Sequence, residues 1–231
     1  MDNQIHDHRQ NSILQIFNKT ETYTNNFLSK FRAPVIASKS YRYLSRQIAL
    51  DLANITEGKL IIFSSATNIS TSSEILLMLG HFLQDELASR ILIIDATFRK
   101  SGLTKLLSLD DQCGFTNILS NNDDGIDSVT HTLKNNISFI AVGDLSKHHL
   151  PYASEGHIKS FLDKFKQQYD YTIIQQDDIR MDTRYLPFAK SADLVLLHLE
   201  ERITPVAIFD EIKQVFLDHK ISNVKYIVSE P

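Results

Sequence analysis

The side chains best suited to phosphate chemistry follow the apolar run Leu60-Ile61-Ile62-Phe63. There Ser64-Ser65-Ala66-Thr67-Asn68-Ile69-Ser70-Thr71-Ser72-Ser73 offers a dense set of hydroxyls, and Ile75, Leu76, Met78, Leu79, Phe82 and Leu83 then recur with helical spacing. Strand, loop, helix is the order in which a phosphate-binding loop sets out its parts. Glycines let backbone N–H groups wrap the phosphates, a lysine neutralises their charge, and a hydroxyl holds magnesium. This loop has no glycine and no lysine. Nor do its serines read as nucleophiles, because no His–Asp motif accompanies them. Capping of the following helix by Ser72 or Ser73 is the expected use of their hydroxyls.

The elements that must position such a loop are legible as apolar runs. Strands are expected at Leu60–Ser64, Ile91–Asp95, Ser138–Val142, Tyr171–Gln175, Leu194–Leu199 and Val224–Val228. Helical patterns fall at about Ser73–Glu86, Gly156–Gln168, Leu186–Lys190 and Pro205–His219. Strands rich in Ile, Leu and Val without alternation suit a sheet covered on both faces, so the expected fold is a doubly wound, mainly parallel α/β sheet. Residues 34–231 read as one such domain, and residues 1–33 read differently. That stretch is rich in Asn, Gln, Thr and Ser, with Ile13, Ile16, Phe17, Phe27 and Phe31 spaced as in short amphipathic helices, and is read as a docking arm, with a flexible tail as the equal alternative.

Several landmarks fall in one order. Ser40-Tyr41-Arg42-Tyr43-Leu44 precedes Ser65-Ala66-Thr67; then come Ile91-Leu92-Ile93-Ile94-Asp95-Ala96-Thr97-Phe98-Arg99-Lys100, Gly114-Phe115-Thr116-Asn117-Ile118-Leu119-Ser120, and Tyr169-Asp170-Tyr171-Thr172-Ile173-Ile174-Gln175. In order and spacing, over roughly residues 37 to 228, this resembles the cytoplasmic P-loop domain of the bacterial tyrosine kinases that serve capsule and exopolysaccharide synthesis, relatives of the MinD/ParA ATPases. Those kinases read EAYRxLRTN, SATPGEGKST, VLLIDADLRxP, GLxxxL and YDYVIIDTPP at the corresponding places. The resemblance implies a P-loop NTPase-like fold of the MinD/ParA type.

The departures bear directly on activity. Aligned on Ser65-Ala66-Thr67, Ile69 and Thr71 take the two glycine positions, Ser72 the lysine position, and Ser73 the magnesium-binding hydroxyl. A β-branched residue held at positive φ costs on the order of 1–3 kcal/mol, so the phosphate cradle is disfavoured at both sites. Asp95 keeps the first acid of the family's DxD pattern, Thr97 replaces the second, and Gln175 replaces the Walker B aspartate. A neutral amide lacks the charge that a hard magnesium ion favours; Asp177 or Asp178, two and three residues on, is a displaced substitute. Ser229 stands where the family's adenine-contacting asparagine is expected, and no C-terminal tyrosine cluster is present. At the ring-forming positions of the family's N-terminal helix stand Lys39, Arg42 and Ser45, with Arg46 adjacent.

Composition sets the outer bounds. A net charge of −4 with no dense Lys/Arg run argues against nucleic acid as the partner. The single Cys113 allows no internal disulfide and suits a reducing compartment. The start carries no signal-type apolar core and no run approaches a membrane span, so a cytoplasmic protein is expected, recruited to the inner membrane by a partner if at all. His148-His149 reads as a solvated loop, and the Arg99-Lys100 pair, which follows the family's pattern after the DxD strand, reads equally as facing a phosphate or neighbouring subunit and as an exposed basic pair. Taken with the resemblance, these features predict a catalytically degenerate pseudo-ATPase that acts through protein contacts, with no cofactor. Its implied partners are a membrane polysaccharide co-polymerase or an active kinase relative, and the expected working surfaces are the arm around Phe17, Phe27 and Phe31 and the helix bearing Lys39, Tyr41, Arg42 and Arg46. The alternatives are an active tyrosine autokinase or ATPase using Mg-ATP through a divergent loop, favoured by Asp95 and Ser73, and a MinD/ParA-like positioning protein.

Overall fold

The computed structural model describes residues 35–66, 69–99, 102–110, 113–120, 125–134, 136–145 and 155–229. The arm carrying Ile13, Ile16, Phe17, Phe27 and Phe31 lies outside the described residues, as do His148, His149 and Lys100. In chain order the elements are α1 (Val35–Asp51), β1 (Lys59–Ser65), α2 (Ile69–Leu87), β2 (Ile91–Ala96), α3 (Leu103–Leu106), α4 (Phe115–Ser120), β3 (Thr130–Lys134), β4 (Ile137–Ile140), α5 (Glu155–Gln168), β5 (Tyr171–Gln176), α6 (Leu186–Ser191), β6 (Leu194–Glu200), α7 (Val206–Asp218) and β7 (Val224–Ser229).

The strands form one seven-stranded sheet in the order β3-β4-β2-β5-β1-β6-β7, parallel throughout except where β3 runs against β4. Every residue of β2 and β5 is buried, which is why their sequences do not alternate. Leu60, Ile62, Leu92, Ile94 and Ile174 face a core closed by Phe115, Phe161, Phe165, Phe188 and Phe216 from α4 to α7. Ile61, Phe63, Ile91, Ile93 and Ile173 face a second core with Ile48 of α1 and Leu52 just after it, Leu76, Leu79 and Leu83 of α2, and Leu103 of α3. Gly80 lets α2 settle on the sheet, since a Cβ there would lie 2.8 Å from Ile93 Cδ1. No described helix is long and apolar enough to cross a membrane.

Two expectations are corrected. The helix after β1 begins at Ile69, not Ser73, so Ile69 and Thr71 lie in a helical turn rather than in an open loop, and Ser72 and Ser73 cannot be its N-caps. The fourth strand ends at Ile140, because Ala141 and Val142 turn away from the ladder. Their carbonyls accept from Phe115 N (2.8 Å) and Thr116 N (2.9 Å), and Val142 N donates to Thr104 Oγ1 (2.8 Å). The short, polar edge strand β3, which carries a register shift between Thr132 and Lys134, has too little apolar pattern to be seen in advance.

Helix α1 is fastened to α2. Tyr41 stacks on Phe82 at 5.8 Å with the planes 5° apart, and the Arg42 guanidinium lies over the same ring. Arg42 and Arg46 both pair with Glu86, and Arg42 also reaches Asp85 (3.4 Å). Thus Tyr41, Arg42 and Arg46 engage the chain itself, whereas Lys39 stays exposed.

Candidate functional site

Ligands of open parallel sheets bind beyond the carboxyl ends of the strands, where the strand order reverses. Here that place is the end of β1, which lies between β5 and β6 while the chain leaves it for β2. The first turn of α2, the ends of β2, β5 and β6, and the end of β7 supply the side chains.

Their hydroxyls, amide and imidazole are bonded to one another. Ser72 Oγ lies 2.7 Å from His198 Nδ1, and His198 Nε2 lies 2.9 Å from Ser229 Oγ. A neutral imidazole donates from one nitrogen and accepts at the other, and each serine hydroxyl can take either role, so the chain of three is satisfied in either tautomer. Ser72 and His198 are completely buried, and burial lowers the His198 pKa below its ordinary value, with Glu200 opposing. Beside this chain, Gln175 Nε2 donates to Ser73 Oγ at 2.8 Å, both residues again buried. The structure therefore joins the positions aligned with the family's lysine and adenine contact through His198, and those aligned with its magnesium hydroxyl and Walker B acid directly.

Asp95 is held separately. Its carboxylate accepts from Thr97 N (3.0 Å), Thr97 Oγ1 and Thr104 N (2.7 Å), while Thr97 Oγ1 also accepts from Gly102 N (2.9 Å). Desolvation raises its pKa, and these hydrogen bonds offset part of the rise. The arrangement ties the turn after β2 to α3. Asp177 accepts from Tyr185 Oη (2.7 Å) and Arg99 N (3.2 Å), and burial raises its pKa above the ordinary carboxylate range. Tyr185 in turn accepts from Phe98 N (3.0 Å) and stacks on the Phe98 ring at 5.3 Å. Asp178 is engaged by the Arg180 guanidinium, whose Nε lies 3.0 Å from Oδ1. Both acids are thus engaged by neighbouring groups of the chain.

This donor set does not fit a magnesium–triphosphate. Ser73 is hydrogen-bonded to a neutral amide and Ser72 to a buried imidazole, whereas hard cations favour charged oxygens. No cluster of three His, Cys, Asp or Glu residues suited to a metal occurs among the described residues. Cys113 is exposed. His198 was not marked by any motif: it sits inside the apolar strand Leu194–Leu199, and only the pairing of β6 with β1, Ser65 opposite His198, brings it to the first turn of α2. The side chain of Thr71 is half-buried in that turn and takes no described part in the network.

No protein-family model matches the chain, and no curated protein matches it in sequence. Solved structures do. The kinase domain of the Escherichia coli tyrosine kinase ETK superposes with a TM-score of 0.76 at 17% identity, over 88% of this chain and 79% of that one. The BceF tyrosine kinase domain gives 0.73 at 16%, over 94% and 88%. A plasmid partition protein from Borrelia burgdorferi gives 0.60 at 20%, over 75% and 79%. At these identities the likeness is one of fold, and it agrees with the strand order and helix layers described above. The chain has the P-loop NTPase-like α/β fold found in bacterial tyrosine kinase domains and in ParA-type ATPases.

Proposed function

We propose that this protein is a degenerate relative of the exopolysaccharide-associated tyrosine kinases, a pseudo-ATPase that regulates polysaccharide synthesis or export through protein contacts. The observation that carries this reading is the network Ser72–His198–Ser229 and Ser73–Gln175, in which residues aligned in sequence with the family's nucleotide site hydrogen-bond one another. A nucleotide would have to break these bonds, at about 0.5–1.5 kcal/mol each, and would meet no lysine in return. An unneutralised phosphate charge adds about 2–5 kcal/mol, by analogy with truncated charge pairs, so the combined loss is several decades of affinity. The partners are a membrane polysaccharide co-polymerase or an active kinase relative, which would also recruit the chain to the membrane.

Isothermal titration with Mg-ATP tests the first half. No saturable binding is expected below roughly millimolar concentration, a free energy weaker than about −4 kcal/mol. A micromolar dissociation constant that disappears on Asp95→Ala, together with phosphate incorporation on tyrosine, would establish the active-kinase reading instead. For the second half, a pull-down with the cognate co-polymerase's cytoplasmic segments or kinase should yield a complex, and one weakened by removal of residues 1–33 would place the arm in the contact.

A further inference from the structure

The sheet has two edges, and they are finished differently. β3 is bulged and antiparallel, a form that blunts an edge against further pairing. β7 carries no register shift, its lone charged side chain, Lys225, pairs with Asp51 of α1, and the α7 side of its outer edge is apolar, with Tyr226 45% and Val228 60% exposed.

Beside this edge lies α7. Its inward face is anchored by Ile212 and Phe216, and Phe209 packs edge-on against Tyr226 at 5.2 Å, which fixes the flank of the helix that looks out past β7. On that flank Val206, Asp210, Lys213 and Leu217 form one stripe at helical spacing, all exposed, with Val206 at 74% and Leu217 at 61%. Neither Asp210 nor Lys213 forms an ion pair with a described residue.

The stripe is its own complement. Val206 and Leu217 are equally far from the midpoint between Glu211 and Ile212, and so are Asp210 and Lys213. Two such helices laid antiparallel about a two-fold axis at that midpoint bring Val206 of each to Leu217 of the other, and Asp210 of each to Lys213 of the other. An isologous interface requires this pattern, in which residue i meets j and j meets i. We propose that α7 and the adjoining edge of β7 form a two-fold interface with a second copy of this chain. The contact runs about 17 Å along each helix, at 1.5 Å per residue, with Tyr226 and Val228 extending it onto the sheet edge. Its apolar ends supply the attraction, and the charges set the antiparallel register.

Sedimentation equilibrium of the full chain, from about 5 to 200 µM, spans the range of weak reversible dimers. The wild type is expected to show a monomer–dimer equilibrium, and Leu217→Glu to abolish it while the circular dichroism spectrum stays unchanged. Asp210→Lys and Lys213→Asp should each weaken the dimer about tenfold, because each places like charges together twice across the axis, and the double exchange should return within about threefold of wild type. A chain that stays monomeric throughout, a dimer indifferent to Leu217→Glu, or a double exchange no better than the single ones overturns the proposal. A dimer lost only when residues 1–33 are removed does so as well, since it would place the interface on the arm.

Discussion

At the scale of single residues, the centre of this protein is a set of neutral polar groups satisfying one another out of water. Ser72→Ala would leave a nitrogen of the fully buried His198 without its partner, and a loss of about 1–3 kcal/mol by chemical denaturation is expected. Ser72→Lys, which places a lysine where the sequence alignment with the kinases has one, should not confer nucleotide binding: it drives an ammonium against a buried imidazole, so Mg-ATP titration stays flat and stability falls. Burial lowers the His198 pKa, so the folded protein takes up this proton at lower pH than the unfolded chain. The stability that neutral His198 supports is complete above its unfolded pKa, about 6.5, and declines as pH falls from there toward the folded value. His131 shifts the same way, whereas Asp95 and Asp177, raised by burial, bind protons more readily when folded and act in the opposite direction on acidification. The wild type's advantage over His198→Gln, followed by denaturation at several pH values, should therefore shrink below about 6.5. An advantage that grows there would show that the imidazole is charged in the fold. Gln176 offers a contrast: it is buried, with neither amide atom hydrogen-bonded to a described residue, so Gln176→Leu should be neutral or stabilising by up to about 1 kcal/mol.

Among the elements, the α1–α2 clamp shows how charges that look available in a sequence are used. Glu86 has a side chain only 9% exposed and sits between Arg42 and Arg46, while Asp85 is 48% exposed and touches Arg42 at 3.4 Å. Glu86→Gln should cost about 1–3 kcal/mol because it weakens two charge-assisted contacts at a nearly buried carboxylate; Asp85→Asn should stay within about 0.5 kcal/mol. Equal effects on urea midpoints would mean that the clamp is solvated. The six expected strands were legible because each contains a short stretch rich in Ile, Leu, Val or Phe, even where, as in β7, a charged residue interrupts it. Helix α2 was legible in its body but not at its start, since the hydroxyl-rich segment before Ser73 has the composition of a loop. It becomes helical because Ser72 and Ser73 find partners on β5 and β6 rather than in their own turn.

For the whole molecule, a site closed on itself predicts a fold that does not depend on nucleotide. A ligand at a hundredfold excess over its dissociation constant would add about 2.7 kcal/mol to stability, a shift readily seen in thermal unfolding. Millimolar Mg-ATP or Mg-ADP is expected to leave the melting temperature unchanged. With Arg42 and Arg46 engaged on α2 and the exposed apolar side chains of α7 and β7 gathered at the opposite end of the sheet from β3, assembly is expected through the β7 end. Light scattering should find a dimer rather than a ring.

The order of apolar runs, the parallel sheet they imply and the missing glycines and lysine were determined by the sequence alone, because buried strands must be apolar on both faces and a phosphate loop needs particular residues at particular spacings. The landmarks around Asp95 and Gln175 were legible for the same reason. What the tertiary structure decided is how the side chains around that loop are partnered. Ser72, Ser73, Gln175, His198 and Ser229 come from four separate elements, and no spacing along the chain relates them. Only the pairing of β1 with β5 and β6, and of β6 with β7, brings His198 between two serines and Gln175 onto a third. Hydrogen bonds between distant segments depend on register across the sheet, and register is set by the packing of the whole core rather than by any local pattern.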